Sequence, residues 1–283
     1  MEIKNRELNP AEFRKMQLLE LDMLVDFDRV CNEQNIKYVI FSGTMLGAIR
    51  HKGYIPWDDD ADIAMLREDY EKFKTVANNL NPDICFFQDH TTDPDYRWGY
   101  GKLRRTGTTY IRKGQEHLKC QTGIFVDIFP LDDVPHSLIG QMIQDFYCFC
   151  CRKILWSEVG KKTYGGIKGL WFSLLSLIPT KTVFSLLNVY IRKSSNSTNN
   201  KVRMLCFTSM GKLYYKHSIK DRYGMDKKWY LDRQRYLFEN KELWGSKDYD
   251  GVLKYIFGDY MTPPPEDKRE CHSPFSTIDF GKY

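Results

Sequence analysis

Asp58, Asp59, Asp60 and Asp62 fall within five positions, and the chain runs from them straight into the apolar stretch Ile63, Ala64, Met65, Leu66. Like charges repel, so a fold that holds four acids at the mouth of a buried element must supply something to offset them. A calcium loop is one solution, because Asp58, Asp60 and Asp62 occupy the first three alternate positions of the EF-hand pattern. The match fails further on, where the glycine position is Ile63 and the position of the bidentate glutamate is Asp69. Read as a strand, the run is consistent. Side chains alternate, so Asp60 and Asp62 share one face roughly 6.6 Å apart along the chain while Ile63 and Met65 face a core. Two carboxylates on one face attract a hard divalent cation such as Mg2+, with Mn2+ as the alternative, and such ions take further oxygens from substrate phosphates.

A third acid comes from "GIFVDIFPL", where Asp127 interrupts an apolar strand and carries a large desolvation cost unless it has a partner. A metal shared with Asp60 and Asp62 is the favoured partner, and a salt bridge to a basic residue such as Arg104 is the structural alternative. Upstream, Ser42, Gly43 and Thr44 stand at a strand-to-helix turn, where free backbone N–H groups and the helix dipole suit a phosphate. Arg50, Lys52, Lys102 and Arg104 are candidate phosphate or acceptor contacts. On a strand, Lys102 and Arg104 share a face with Tyr100, which suits either an anion site or a solvated surface. Asp58 and Asp59 have no fixed role, and Pro56 with Trp57 stiffens the approach.

Around these residues the pattern reads as α+β, or mixed α/β. Asn9, Pro10 and Glu12 make an N-cap, a proline at the first helical position and a carboxylate at the third, opening a helix to about Asn35. Phe13, Met16, Leu19, Met23, Phe27 and Val30 form its apolar stripe. "KYVIFSG" is a short strand, "TMLGAIR" a helical turn and "REDYEKFKTVANNL" a helix; "ICFFQ", "WGYGKLRR", "TTYIR" and "GIFVDIFPL" follow as strands. Residues 1–135 are therefore expected to form a catalytic core and 136–283 a mainly helical region whose C-terminal segment packs back on it.

From Ser137 to about Lys193 the pattern is helical and strongly apolar. Its greasiest part, "GLWFSLLSLIP", is about 11 residues long, short of the ~20 a spanning helix needs. Lys161, Lys162, Lys168, Lys181, Arg192 and Lys193 flank it, so in-plane membrane contact and a buried helical subdomain both fit. Ser194 to Asn200 reads as a polar loop, and a last helix stops near Gly258.

Composition adds limits. The net charge of +5, from 42 basic against 37 acidic residues, is too weak a bias to argue for nucleic acid. "MEIKNRELNP" has none of the regions of a secretory signal, so a cytoplasmic protein is expected. The eight cysteines are then expected to be reduced thiols, and Cys148, Cys150 and Cys151 lack the spacing and histidines of a zinc site.

The unbroken "SGTMLGAIRHKGYIPWDDDADIAM", followed by "GKLRRTGTTYI", "GIFVDIFPLDDVP" and "YIFGDYMTPPP", resembles the LicD family of phosphocholine transferases, relatives of fukutin and fukutin-related protein. The resemblance covers essentially the whole chain. It implies a nucleotidyltransferase-like mixed sheet flanked by helices, with the phosphate turn at Ser42, Gly43 and Thr44, the acid pair at Asp60 and Asp62, and the third acid at Asp127. It further implies Mg2+-dependent transfer of phosphocholine from CDP-choline to a glycan hydroxyl, releasing CMP. The acceptor would be a teichoic acid, lipopolysaccharide or capsule precursor, built on a lipid carrier at the inner face of the plasma membrane. Asp127 is then base or metal ligand. A polyol phosphate, phosphoethanolamine or sugar phosphate donor is an alternative, as is a catalytically inactive membrane-associated assembly factor. Choline's quaternary ammonium calls for aromatic faces, for which Trp57, Tyr96, Trp98 and Tyr100 are the candidates.

Overall fold

A computed structural model describes residues 2–4, 7–194, 199–213, 217–219, 221–269 and 274–283. Most of the loop expected between Ser194 and Asn200 lies outside the described residues.

The chain opens with β1 (Glu2–Lys4) and α1 (Pro10–Glu33). The expected cap of α1 is present: the Asn9 side chain accepts from the Glu12 amide at 2.9 Å, and the Glu12 carboxylate accepts from the Asn9 amide at 3.0 Å. Next come β2 (Val39–Ile40), α2 (Ser42–Arg50), β3 (Ala61–Leu66), α3 (Arg67–Val76), β4 (Cys85–Gln88), β5 (Gly101–Arg105), β6 (Thr109–Arg112) and β7 (Phe125–Asp133). Helices α4 (Leu138–Leu155), α5 (Ser157–Thr163), α6 (Gly166–Leu175) and α7 (Thr180–Ser194) follow. The remainder holds β8 (Lys201–Arg203), α8 (Met210–Leu213), β9 (Met225–Asp226), α9 (Lys228–Leu231), β10 (Arg233–Phe238), β11 (Lys241–Ser246), α10 (Tyr249–Phe257) and β12 (Phe275–Asp279).

The central sheet runs β2-β3-β7-β5-β4 and extends from β7 through β8 to β9. The β3–β7 pair is parallel, whereas β2–β3, β5–β7 and β4–β5 are antiparallel, so the architecture is mixed α+β with helices on the sheet. Strand β7 is buried over Phe125–Asp132, as its continuous apolar reading requires for a central strand. In β3 the alternation is as expected. Ala61, Ile63 and Met65 enter the main core with Met16, Met23, Phe27 and Val30 of α1, while Ala64 faces a second core with Phe41, Phe129 and Tyr100.

The helical reading holds for Leu138–Ser194. Past Asn199 the chain adds strands that periodicity did not reveal, notably the β10–β11 hairpin and β12, which lies between β1 and β6. The reason is local: β10 and β11 carry Arg233, Arg235, Lys241 and Glu242, whose charges hide the two-residue alternation. Cys148 and Cys151 are buried in a third core with Val183, Phe184 and Leu187, where burial pushes their thiols up to about 12 and about 11.

Candidate active site

The parallel pairing of β3 with β7 sets Asp62 opposite Asp127. Paired residues on adjacent strands point to the same face, so two carboxylates meet across one strand spacing. Asp60 enters from just before β3, and oxygens of Asp60, Asp62 and Asp127 all lie within 4.8 Å of one another. Asp58, Asp59 and Asp60 form a second acidic group of the same tightness.

The backbone around these acids is held from two sides. The Asp62 amide donates to Thr44 Oγ1 at 2.8 Å and its carbonyl accepts from the Phe41 amide at 2.9 Å, tying β3 to the start of α2. Ser42 turns the chain with φ of 47°, a left-handed conformation that costs a non-glycine residue energy. At Gly43 a Cβ would overlap the Asp58 carboxylate, so glycine lets that carboxylate lie against the N-terminus of α2. The Asp58 carbonyl accepts from Gln17 Nε2 of α1 at 3.0 Å, which anchors the acidic loop to the helix behind it.

Burial and crowding oppose ionisation. Desolvation, then Asp60 and Asp59, hold the Asp58 carboxyl well above the usual carboxylate range. Asp62 is raised in the same way, by burial and then by Asp60 and Asp127. Burial, Asp59 and Asp127 raise Asp60 to about 6. Glu20 of α1 lies buried behind the loop and is pushed up by desolvation and by Asp60, Asp59 and Asp58.

Lys102 and Arg112 face this charge. Lys102, opposite Asp127 on the other neighbouring strand, ion-pairs with its carboxylate. Burial lowers the Lys102 ammonium to about 7, against the opposing pull of Asp127. Arg112 of β6 reaches to 4.0 Å from Asp60. The side-chain partner of Asp127 is thus Lys102; Arg104 donates instead to Gln88 at 2.7 Å and to the Gly123 carbonyl at 2.9 Å.

The acids open onto a cleft of about 600 Å3. Of the residues singled out in the sequence, Ser42, Gly43, Arg50, Trp57, Asp58, Asp60, Asp62, Tyr100 and Asp127 line it. Thr44 is buried behind, with its hydroxyl engaged by Asp62. Lys52 is exposed and outside the lining, and Lys102 and Arg104 border a small adjoining cavity with Tyr96 and Trp98. Sequence reasoning missed Arg112, which borders both cavities, and the wall formed by Asp259, Tyr260 and Thr262. It also passed over Glu20, although an acid on the buried stripe of α1 beside Leu19 and Met23 was a readable signal.

Residues 35–149 match the model of the LicD/FKTN/FKRP nucleotidyltransferase domain, a span that contains Ser42–Thr44, the acidic loop, Lys102, Arg112 and Asp127. That match likens the segment carrying the acids to the LicD-type nucleotidyltransferase domain. Over 277 residues, 92% of the chain and 95% of the relative, it is 25% identical to the lipopolysaccharide cholinephosphotransferase LicD of Haemophilus influenzae. Shorter stretches match uncharacterised proteins of Rickettsia typhi, 44% identical over 66 residues, and Rickettsia prowazekii, 47% identical over 55 residues. Each stretch covers 21% of the rickettsial protein. The acids, the Ser42–Thr44 turn, Lys102 and Arg112 thus lie within the matched span, whereas the α1 residues behind them and cleft residues such as Phe207, Asp259, Tyr260 and Thr262 lie outside it.

Proposed function

We propose that this chain is a transferase that moves phosphocholine from CDP-choline to a hydroxyl of a cell-surface glycan, releasing CMP with Mg2+ as cofactor. The observation that carries the reading is the convergence of Asp60, Asp62 and Asp127 within 4.8 Å at a cleft beside the N-terminus of α2. The match of residues 35–149 to the LicD/FKTN/FKRP nucleotidyltransferase domain and the similarity to a lipopolysaccharide cholinephosphotransferase support it.

The donor set fits a hard cation. It is all oxygen, it is crowded, and burial has raised Asp60 and Asp62, so a bound divalent ion would relieve the repulsion that protons otherwise relieve. Asp60 and Asp62 would hold Mg2+, with Asp127 completing the set. Bound there, Mg2+ would neutralise charge on the diphosphate and on the CMP leaving group.

The chain's own groups supply the rest. Ser42 and Gly43 sit at the start of α2, where unpaired amides and the helix dipole attract phosphate oxygens. Arg112 brings a fixed positive charge to the acid side of the cleft, and Arg50, held by the Tyr260 carbonyl at 2.8 Å, brings one to the opposite wall. Asp127 would accept the proton of the attacking hydroxyl, with the Lys102 ammonium paired beside it. Trp57 and Tyr100 offer aromatic faces in the same cleft; the Arg269 guanidinium already lies 4.7 Å from the Trp57 ring centre, so that face accepts a cation.

The test is CMP release from a panel of CDP-linked donors with Mg2+, with and without glycan acceptors. CDP-choline should give CMP only when metal is present, and Asp62→Asn should lower the rate by at least ~10^3 while staying folded. No CMP from any donor would overturn the enzyme reading, and a preference for CDP-linked polyol, ethanolamine or sugar would move the donor assignment.

A further inference from the structure

Among the described residues nineteen large apolar side chains are exposed, and thirteen of them lie between Ile139 and Val189. Helix α4 carries two apolar stripes. Cys148, Cys151 and Leu155 turn inward, while Ile139, Ile143, Phe146 and Phe149 stand 72%, 56%, 68% and 44% exposed. Helix α6 repeats the arrangement: Gly169 and Phe172 are buried, whereas Ile167, Leu170, Trp171 and Leu174 are 88%, 63%, 58% and 55% exposed. Leu186 and Val189 extend the patch along α7. A water-soluble surface rarely leaves so many large apolar groups together without a partner.

Charge identifies the partner. Residues 138–194 contain Arg152, Lys153, Lys161, Lys162, Lys168, Lys181, Arg192 and Lys193 against only Asp145 and Glu158. Both acids are already neutralised, Asp145 by Arg203 and Glu158 by Lys161. The segment's formal charge of +6 therefore exceeds the +5 of the whole chain. A second copy would bring this positive surface against itself. Apolar side chains flanked by lysines, with Trp171 among them, are the chemistry of a helix lying in an anionic lipid interface. Among the described residues no single helix is long and apolar enough to cross a membrane, and Gly166–Leu175 and Thr180–Arg192 are bent by 76° to one another.

We propose that the outer faces of α4, α6 and α7 form a docking surface for an anionic lipid bilayer. The surface reaches the active cleft. Phe149 and Lys153 of α4 line a basin of about 460 Å3 whose far wall, Tyr100, Arg112 and Phe207, is shared with the acid cleft. Resting on the transferase reading, this continuity supplies a path along which the anionic head of a lipid-linked acceptor reaches the acids while its tail stays in the bilayer.

Flotation of the full chain with phosphatidylcholine vesicles, with and without about one-third phosphatidylglycerol, tests the surface directly. The protein should float with the anionic vesicles and bind neutral ones at least about tenfold less. The pairs Phe146→Glu with Leu170→Glu, and Lys162→Glu with Lys168→Glu, should each lose anionic-vesicle binding by a similar factor. All four side chains are exposed, so circular dichroism should show the fold intact. The proposal is overturned if the wild type stays unbound, if both variants float like it, or if the patch instead seals a dimer in light scattering that the apolar pair dissolves. Binding is read without turnover, so a negative result leaves the transferase reading to the CMP assay.

Discussion

Replacing Asp60 by asparagine should stabilise the metal-free protein, and the gain should depend on pH in one direction. Burial and the neighbouring Asp59 and Asp127 raise the folded-state carboxyl from 3.8 to about 6. At about 1.4 kcal/mol per pKa unit, roughly two units correspond to ~3 kcal/mol of unfavourable charge in the folded state. Below pH ~4 the carboxyl is protonated whether the chain is folded or not, and the cost is absent. As pH rises from ~4 to ~6 the unfolded chain releases this proton before the folded one does, so stability falls, and above ~6 the full cost is present. The asparagine amide would carry no charge at any pH. Urea denaturation in EDTA should therefore show Asp60→Asn more stable than wild type by ~2–3 kcal/mol at pH 8 and nearly equal to it at pH 4. Millimolar Mg2+ should close the gap, because an ion bound at a hundred times its dissociation constant adds about 2.7 kcal/mol to the wild type alone. A variant that is less stable at pH 8 in EDTA, or a difference that does not change with pH, would refute the account of the acids as mutually repelling groups awaiting a cation.

Two further substitutions probe the scaffold around the acids. Gly43→Ala should be favourable to a helix by propensity, by up to about 1 kcal/mol, yet it forces the Asp58 carboxylate off the start of α2. Activity is expected to drop at least about tenfold with little change in melting temperature, and unchanged activity would show that the seat of Asp58 is irrelevant to catalysis. Arg67→Met removes the bidentate partner of Asp132, which is held at 2.7 Å by both Nε and the second guanidinium nitrogen. Leaving that buried carboxylate alone should cost about 3 kcal/mol at pH 8 and less in acid, where Asp132 can take a proton. A loss below ~1 kcal/mol in urea titrations at neutral pH would count against the pair as a structural anchor.

The parts of the site that were legible in sequence are those written in local pattern. The acid pair on one strand face, the lone Asp127 in an apolar strand and the capped helix from Asn9 each follow from side-chain period and desolvation, which act over a few residues. Arg112 was not legible, because "TTYIR" gives no sign of which strand it faces. The hairpin at Arg233–Ser246 was hidden because its outward positions are charged and its inward ones few.

What the sequence determined by itself was therefore the chemistry: oxygen donors in excess, a turn suited to phosphate, and a basic, apolar helical stretch near the middle of the chain. Tertiary structure decided the pairings. The parallel register that sets Asp62 beside Asp127, the antiparallel one that gives Asp127 its lysine, and the approach of β6 that brings Arg112 to Asp60 join residues far apart in the chain. Such registers are set by how whole strands bury their apolar faces against one another, and no short window of sequence contains that information.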